Sequence, residues 1–399
     1  MSTGRLGDDA ETRTGLPSPA LSTLPPAATT PARRRTLGRR FERAAKRRLT
    51  GLVVRVVRPR PATPPTARDV HHVLAIRQHN QMGDMVLTLP ALRLLRQAYP
   101  SARLVFVTNP LCEELLAGHP EIDRLLVFRK QTLWRPWQLL PFLGALRRPR
   151  PDLAIVLGTV SFSTTSALLA WASGARCRAG VASHRFGSDL SRAIYHLELP
   201  VAPPEVHEVE HNAAPLRGLG IDGVAGIPEL PVRNEAARAA SEFVERSFPN
   251  SHGPVVVIHP GAGKQENIWP VERFAQVARV LASQADARIV VSEGPRDAVV
   301  AARLLADCPG AARWRANLGA TLGLLRQAAL FLGNDTGMAH VAAAVGTPTV
   351  AVFGPTDPGR WSPAGRWVRC VRSSTGRVED ARTEDVVAAA HAALRHATS

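Results

Sequence analysis

Three glycine-containing stretches of the sequence carry side chains that can do chemistry. They are QHNQMGD (78–84), HPGAGKQENIWP (259–270) and GNDTGMAHVAAAVGTP (333–348). In the first stretch, Gly83 permits a tight turn and Asp84 follows it directly. The Asp84 carboxylate could take a proton from a hydroxyl group in a cleft, or it could simply cap the helix that begins there.

The second stretch combines backbone amides with a cation. His259, Gly261 and Lys264 belong to a loop whose N–H groups and ammonium group could hold phosphate oxygens. The glycine spacing matches neither the GxGxxG pattern nor the P-loop pattern, which disfavours a dinucleotide-dependent or ATP-hydrolysing enzyme.

The third stretch has polar groups at the predicted start of a helix. Asp335, Thr336 and Gly337 would present backbone N–H groups to an anion, and His340 lies on the first turn. A further loop, FGPTDPGRW (353–361), adds to the same rim. These loops indicate a phosphate-bearing ligand in the second half of the chain and an acid or base in the first half.

Each of these loops follows a predicted strand. Short apolar runs alternate with helical patterns along the chain, which is typical of doubly wound parallel sheets. In such sheets, ligands bind at the carboxyl ends of the strands, where loops lead into helices. The sequence therefore predicts an α/β fold with domains at 69–232 and 233–375, followed by a C-terminal helix in 376–399.

The first 68 residues differ from the rest in composition. Residues 1–70 hold 15 Lys and Arg against five Asp and Glu, so they carry most of the net charge of +17. We interpret 1–68 as a disordered basic leader. Within it, residues 33–60 could form an amphipathic helix on an anionic membrane surface or remain a solvated tail.

Several classes of protein are disfavoured. The cysteines are widely spaced, so neither a disulfide framework nor a zinc site is indicated. No segment has the roughly 18 uncharged apolar residues that a membrane span needs, and no signal sequence begins the chain. No DxD pair follows a strand of the second domain. We therefore expect a cytoplasmic protein without a metal or a cofactor, either free or peripheral on the inner membrane face.

Three blocks of the sequence resemble glycosyltransferase family 9, the heptosyltransferase family. They are RQHNQMGDMVLTLPALRLLRQAYPSARLVFVTNP (77–110), HPGAGKQENIWPVERFAQVARVL (259–281) and GNDTGMAHVAAAVGTPTVAVFGPTDP (333–358). The resemblance implies a GT-B fold, in which two Rossmann-like domains face each other across a cleft and the C-terminal helix returns toward the first. It implies metal-independent, inverting transfer of heptose from ADP-heptose, with the acceptor bound by the first domain and the nucleotide by the second.

The resemblance also assigns residues. It carries the catalytic aspartate of the family onto Asp84, and the donor contacts onto the set His259, Gly261, Asp335, Thr336, Gly337 and His340. The chain departs from the family at Asn267, where many members have a lysine; Lys264 could replace that phosphate contact. The acidic contact to the ribose would be Glu293 or Asp297.

The expected partners are a nucleotide-sugar donor and a glycan or glycolipid acceptor, such as a lipopolysaccharide core. A transferase with another donor, a GT-B nucleotide-sugar epimerase and a non-catalytic sugar binder remain alternatives. A nucleic-acid-binding protein acting through the basic leader is a further alternative from another class. The body has no RRM or helix-turn-helix pattern, so we expect no nucleic-acid partner.

Overall fold

The computed structural model describes residues 62–78, 81–158, 161–186 and 190–397. The predicted membrane-binding stretch at 33–60 lies outside these residues. No helix in the described ranges is both long enough and apolar enough to cross a bilayer.

The first half of the described chain alternates short strands with helices, as predicted. Its elements are β1 (His72–Ile76), α1 (Met82–Val86), α2 (Leu89–Ala98), β2 (Arg103–Thr108), α3 (Glu113–Leu116), β3 (Arg124–Val127), α4 (Pro136–Arg147), β4 (Leu153–Val156), α5 (Thr164–Ala172), β5 (Cys177–Val181), α6 (Leu190–Ile194), β6 (Leu197–Leu199) and α7 (Glu208–Ala213). The strands form one parallel sheet in the order β3-β2-β1-β4-β5-β6, with Val73 of β1 opposite Leu104 of β2 and Leu153 of β4. The central strands are apolar runs because helices cover both faces of such a sheet.

The second half repeats this pattern. Its elements are α8 (Asn234–Ser247), β7 (Val255–His259), α9 (Val271–Ala285), β8 (Arg288–Ser292), α10 (Ala298–Asp307), β9 (Ala312–Trp314), α11 (Leu318–Gln327), β10 (Leu330–Asn334), α12 (Gly337–Ala344), β11 (Thr349–Phe353), α13 (Pro358–Trp361), β12 (Val368–Arg372) and α14 (Thr383–Ala397). The second sheet is also parallel, in the order β12-β11-β10-β7-β8-β9. Two doubly wound sheets are therefore present, as the sequence predicted, while the exact domain limits stay predictions.

The strand order reverses at one point in each sheet. In the first sheet β1 lies between β2 and β4, and in the second β7 lies between β8 and β10. Helices leave the two sides of this point in opposite directions and open a crevice beyond the strand ends, where ligands bind in such sheets. Asp84 follows β1, and Asp335 follows β10, so both aspartates stand at a reversal point.

The two halves share part of their core. One buried cluster includes Val86 and Leu92 from helices of the first half together with Ala339 and Val341 of α12. The C-terminal helix behaves differently from the expectation that it returns toward the first domain. Its buried side, which includes Ala390, packs instead into the cluster built on the second sheet.

Candidate active site

Asp84 is the third residue of α1 and is buried, with 5% of its surface exposed. Gln81 holds the position before α1, and Asp84 lies in the first turn of the helix. The hydroxyl of Thr88 donates to the backbone oxygen of Asp84 at 2.7 Å, which fixes the main chain of the short helix. A carboxylate is thereby held in a water-poor position at the carboxyl end of β1.

A buried guanidinium lies near Asp84. Arg77 donates through Nη1 to the backbone oxygen of Leu157 at 3.0 Å and to Oδ1 of Asn212 at 2.8 Å. Burial lowers the pKa of Arg77, while the negative charges of Asp84 and Glu208 raise it. Such a charge is tolerated in the interior only because acidic groups surround it.

The acidic partner Glu208 joins the two halves of the molecule. Its side chain is fully buried in α7, and its Oε2 accepts from Nη2 of Arg360 in α13 at 3.2 Å. Burial raises the pKa of Glu208, whereas the charges of Arg360 and Arg77 lower it. The neighbouring His207 contacts the backbone oxygen of Ser362 through Nε2 at 3.0 Å. Side chains of the first half therefore hold the segment that follows β11.

His340 of α12 lies against the backbone before Asp84. A Cβ atom added to Gly83 would stand 2.8 Å from Cδ2 of the His340 ring, so only glycine allows this approach. Burial lowers the pKa of His340 to about 4, although the charge of Asp84 opposes the shift. His340 is thus a neutral imidazole at neutral pH, and its buried Nδ1 has no hydrogen-bond partner among the described residues.

The start of α12 makes a second close contact with α1. A Cβ atom added to Gly337 would stand 3.1 Å from Cβ of Met82 and 3.3 Å from the backbone nitrogen of Gly83. The hydroxyl of Thr336 accepts from the N–H of Met338 at 3.1 Å and caps α12. Gly83 and Gly337, one from each half, therefore allow the start of α1 and the start of α12 to come together.

Asp335 is partly buried beside the second loop. Its Oδ2 accepts from the amide of Asn267 at 2.9 Å. Burial raises the pKa of Asp335, whereas Thr356, Lys264 and Asn267 lower it through hydrogen bonds or charge. Lys264 is exposed near this carboxylate, so its ammonium group is available to a ligand at the edge of the site.

His259 and Asp297 form a second group in the same half. His259 Nδ1 lies 3.2 Å from the backbone oxygen of Ser292, and Nε2 lies 3.5 Å from Oδ2 of Asp297. Both ring nitrogens thus face protein oxygens in this geometry, so His259 supports Asp297. The Asp297 carboxylate covers Gly261, where an added Cβ would come within 2.2 Å of its Cγ. Glu293, the other acidic residue expected near the ribose, is buried and lies 3.6 Å from Arg315.

Sequence reasoning missed the residue that joins the two donor loops. Asn334, fully buried at the end of β10, donates from its amide to the backbone oxygen of Pro260 at 2.8 Å. Its Oδ1 accepts from the backbone N–H of Trp269 at 3.0 Å. Arg77, Glu208 and Arg360 were missed as well. The available signals were a charged residue (Arg77) directly after an apolar strand, the acidic segment HEVEHN (207–212) that contains Glu208, and the arginine after FGPTDP (Arg360).

Similarity to known proteins identifies the family. Residues 141–391 match the family model of glycosyltransferase family 9 (heptosyltransferase), which covers more than half of the chain. The chain belongs to this family. It is therefore a glycosyltransferase, as its three motif blocks predicted.

Curated relatives carry consistent names. Lipopolysaccharide heptosyltransferase 3 of Escherichia coli strain K12 is 28% identical over 296 residues, which cover 70% of this chain and 82% of the relative. Lipopolysaccharide core heptosyltransferase OpsX of Haemophilus influenzae is 23% identical over 310 residues, which cover 75% of this chain and 84% of the relative.

Solved structures share the fold. A family 9 glycosyltransferase from Veillonella parvula superposes with a TM-score of 0.73 at 21% identity, covering 82% of this chain and 98% of that one. The ADP-heptose lipopolysaccharide heptosyltransferase II of Escherichia coli gives a TM-score of 0.67 at 22% identity, with coverage of 82% and 100%. These similarities confirm the predicted GT-B fold of the family 9 chain.

Proposed function

We propose that this family 9 chain transfers heptose from ADP-heptose to a lipopolysaccharide core or another cell-surface glycan, with inversion and without a metal. The names of its relatives support this donor and acceptor. No group of three or more His, Cys, Asp or Glu side chains that could hold a metal is found within the described ranges. A cytoplasmic location and a membrane contact through residues 33–60 stay predictions.

The observation that carries the proposal is the buried carboxylate of Asp84 at the carboxyl end of β1, beside α12. In the proposed step, Asp84 accepts the proton of the acceptor hydroxyl as its oxygen bonds to the anomeric carbon. The bond between that carbon and the diphosphate oxygen breaks on the opposite face, which inverts the configuration. A base in a water-poor position is suited to this proton transfer.

The leaving diphosphate needs stabilisation as its charge develops. The N–H groups at the start of α12 and the ammonium of Lys264 are suited to this task because they present positive charge beside the second sheet. Asp335 and Asn267 would hold the loop that carries Lys264. Asp297, supported by His259, is our choice for the ribose contact.

A transferase with another nucleotide-sugar donor is the second candidate. Asn267 stands where many family members have a lysine, and its amide is bonded to Asp335. The phosphate contact would then depend on Lys264, three residues earlier on an exposed tip. A shift of the cation along the loop would suit a donor of different shape.

Calorimetric titration of the full chain with ADP, UDP and GDP tests the donor. We expect preferential binding of ADP, lost in Asp335→Ala and retained in Asp307→Ala, an exposed carboxylate at the end of α10. Preference for UDP or GDP would favour the second candidate. Absence of binding by all three nucleotides would contradict the donor site.

Product analysis then tests the reaction. With ADP-heptose and a heptose-deficient lipopolysaccharide acceptor, we expect one glycosidic bond of inverted configuration and persistent activity in chelator. A retained configuration would contradict the mechanism, and loss of activity in chelator that a divalent metal restores would contradict metal independence.

A further inference from the structure

An apolar surface on the first half of the molecule is made of residues that the candidate site does not include. Eight large apolar side chains are exposed in the described ranges, and four of them fall within residues 133–140. These four are Leu133 (45% exposed), Trp134 (75%), Trp137 (70%) and Leu140 (68%). We call them the tryptophan patch. Exposed apolar groups clustered in this way mark an interaction surface.

Leu133 and Trp134 lie in a 3₁₀ turn before α4, whereas Trp137 and Leu140 lie on α4, which is held from its other side. The ring of Phe142 in α4 packs against Phe128 with centroids 5.2 Å apart, and Leu146 is buried. Trp137 and Leu140, one helical turn apart, are left on the outside of the same helix. A helix with apolar groups on both sides needs a second apolar environment beyond the protein core.

The charges that neighbour the patch in the sequence have one sign. Residues 129–150 contain six Lys and Arg and no Asp or Glu. They stand before α4 at Arg129, Lys130 and Arg135, and at or after its last turn at Arg147, Arg148 and Arg150. All six are exposed, although Arg129 also pairs with Glu113 at 3.0 Å.

We propose that the tryptophan patch docks on a lipid bilayer that contains anionic headgroups. Indole and leucine side chains enter the boundary between headgroups and acyl chains, while arginines on both flanks bind lipid phosphates. Charge complementarity selects this occupant, since basic groups lie before, within and after an apolar stretch that continues along a helix about 18 Å long. The inference goes beyond the proposed function, because binding to lipid requires no catalysis.

The surface is distinct from the leader and belongs to the half that carries Asp84. It lies between β3 and β4, so a bilayer contact here would hold the first sheet at the membrane.

Quenching by brominated lipids tests this contact in the full chain. The probe is a vesicle of phosphatidylcholine and phosphatidylglycerol, with and without bromine on the acyl chains. We expect brominated vesicles to quench tryptophan emission, and we expect Trp134→Phe/Trp137→Phe to abolish most of that quenching while binding persists. Emission from the five other tryptophans provides the internal reference.

Vesicle flotation supplies the second measurement. We expect the triple variant Trp134→Ser/Trp137→Ser/Leu140→Ser to lose at least about tenfold in partition coefficient. The matched control Val224→Ser/Val299→Ser removes two exposed side chains elsewhere and should bind as the wild type does. Circular dichroism of each variant checks that the chain folds.

Three results would overturn the proposal. Vesicle binding without quenching would assign the contact to the leader alone, and equal binding to vesicles of phosphatidylcholine only would remove the role of the charges. Absence of vesicle binding, with a solution dimer that the triple serine variant dissociates, would identify a second copy as the occupant. None of these results bears on the sugar donor, so the proposed reaction stands or fails separately.

Discussion

The two sheets have the same strand order but different chemistry at the point where that order reverses. At the first, Asp84, Arg77 and Glu208 form a buried group of charges. At the second, the amides of Asn334 and Asn267 hold loops, and the start of a helix offers N–H groups. The same strand order thus supports a site suited to proton transfer in the first half and a site suited to anion binding in the second half.

The two sites differ most in the groups that surround their carboxylates. Asp84 shares its surroundings with a buried arginine, whereas Asp335 accepts from a neutral amide with an exposed lysine near it. Fixed charges favour a group that must react, and adaptable contacts favour a ligand that must enter and leave. Variants at the two ends should therefore fail in different ways.

The largest expected effect is on turnover. Asp84→Asn keeps the shape of the side chain but removes the base, so we expect kcat to fall by about 10²- to 10⁴-fold with donor binding nearly unchanged. Asp335→Asn should instead weaken donor binding more than it lowers kcat. Steady-state kinetics with ADP-heptose and calorimetry with ADP separate the two. Equal losses of kcat in both variants would contradict the inference that Asp84 acts in the reaction and Asp335 in donor binding.

The second effect is on stability. Arg360→Ala breaks the ion pair to the fully buried Glu208, so we expect the free energy of unfolding to fall by about 3–5 kcal/mol. Arg129→Ala breaks a pair in which both side chains are about half exposed, and should cost at most about 1 kcal/mol. Urea unfolding measures both. Similar losses in the two variants would mean that the buried ion pair stabilises the fold no more than the exposed ion pair does.

The third effect is a pH dependence that comes from His340. Its folded pKa of about 4 lies below the ordinary value of 6.5, so the unfolded chain binds the proton more readily. This contribution to stability is complete above about pH 6.5 and is lost as the pH falls toward 4, by about 3 kcal/mol in all. Urea unfolding between pH 7.5 and 4.5 should show a shallower decline in His340→Gln. Parallel curves would show that His340 is not buried as a neutral ring.

The smallest effect concerns the contact between the two loops. Gly83→Ala pushes a methyl group against the His340 ring, so we expect a loss of about 1–3 kcal/mol in the free energy of unfolding. Gly144→Ala in α4 adds a methyl group in open space, and should stabilise the chain by about 0.5–1 kcal/mol. Thermal unfolding compares the pair. An unchanged free energy of unfolding in Gly83→Ala would mean that the fold does not require the close contact between Gly83 and the His340 ring.

The sequence predicted the central elements of both sheets better than their edges. Strands such as β1 and β7 are short apolar runs, and their burial on both faces makes them recognisable. Four strands, β5, β6, β9 and β12, were not predicted, and all of them except β5 lie at an edge of a sheet. β6 and β9 have three residues each, and β12 alternates arginine with apolar residues, so their patterns resemble loops.

Site prediction followed a similar division. Asp84, Asp335 and His340 were singled out because each belongs to a motif that follows a predicted strand. Partners distant in sequence were not, since nothing near Glu208 indicates that Arg360, 152 positions later, will neutralise it. Local patterns report which side chains can react, and only the fold reports which side chains will compensate one another.

The clamp made by Asn334 has a consequence for how this enzyme can change. It fixes the loop after β7 near its two ends, at Pro260 and Trp269, while residues 263–266 between them are exposed. A substitution at this tip alters what the loop offers a ligand without disturbing the frame that supports it. Divergence toward a new donor could therefore proceed one residue at a time, with each intermediate sequence still folded.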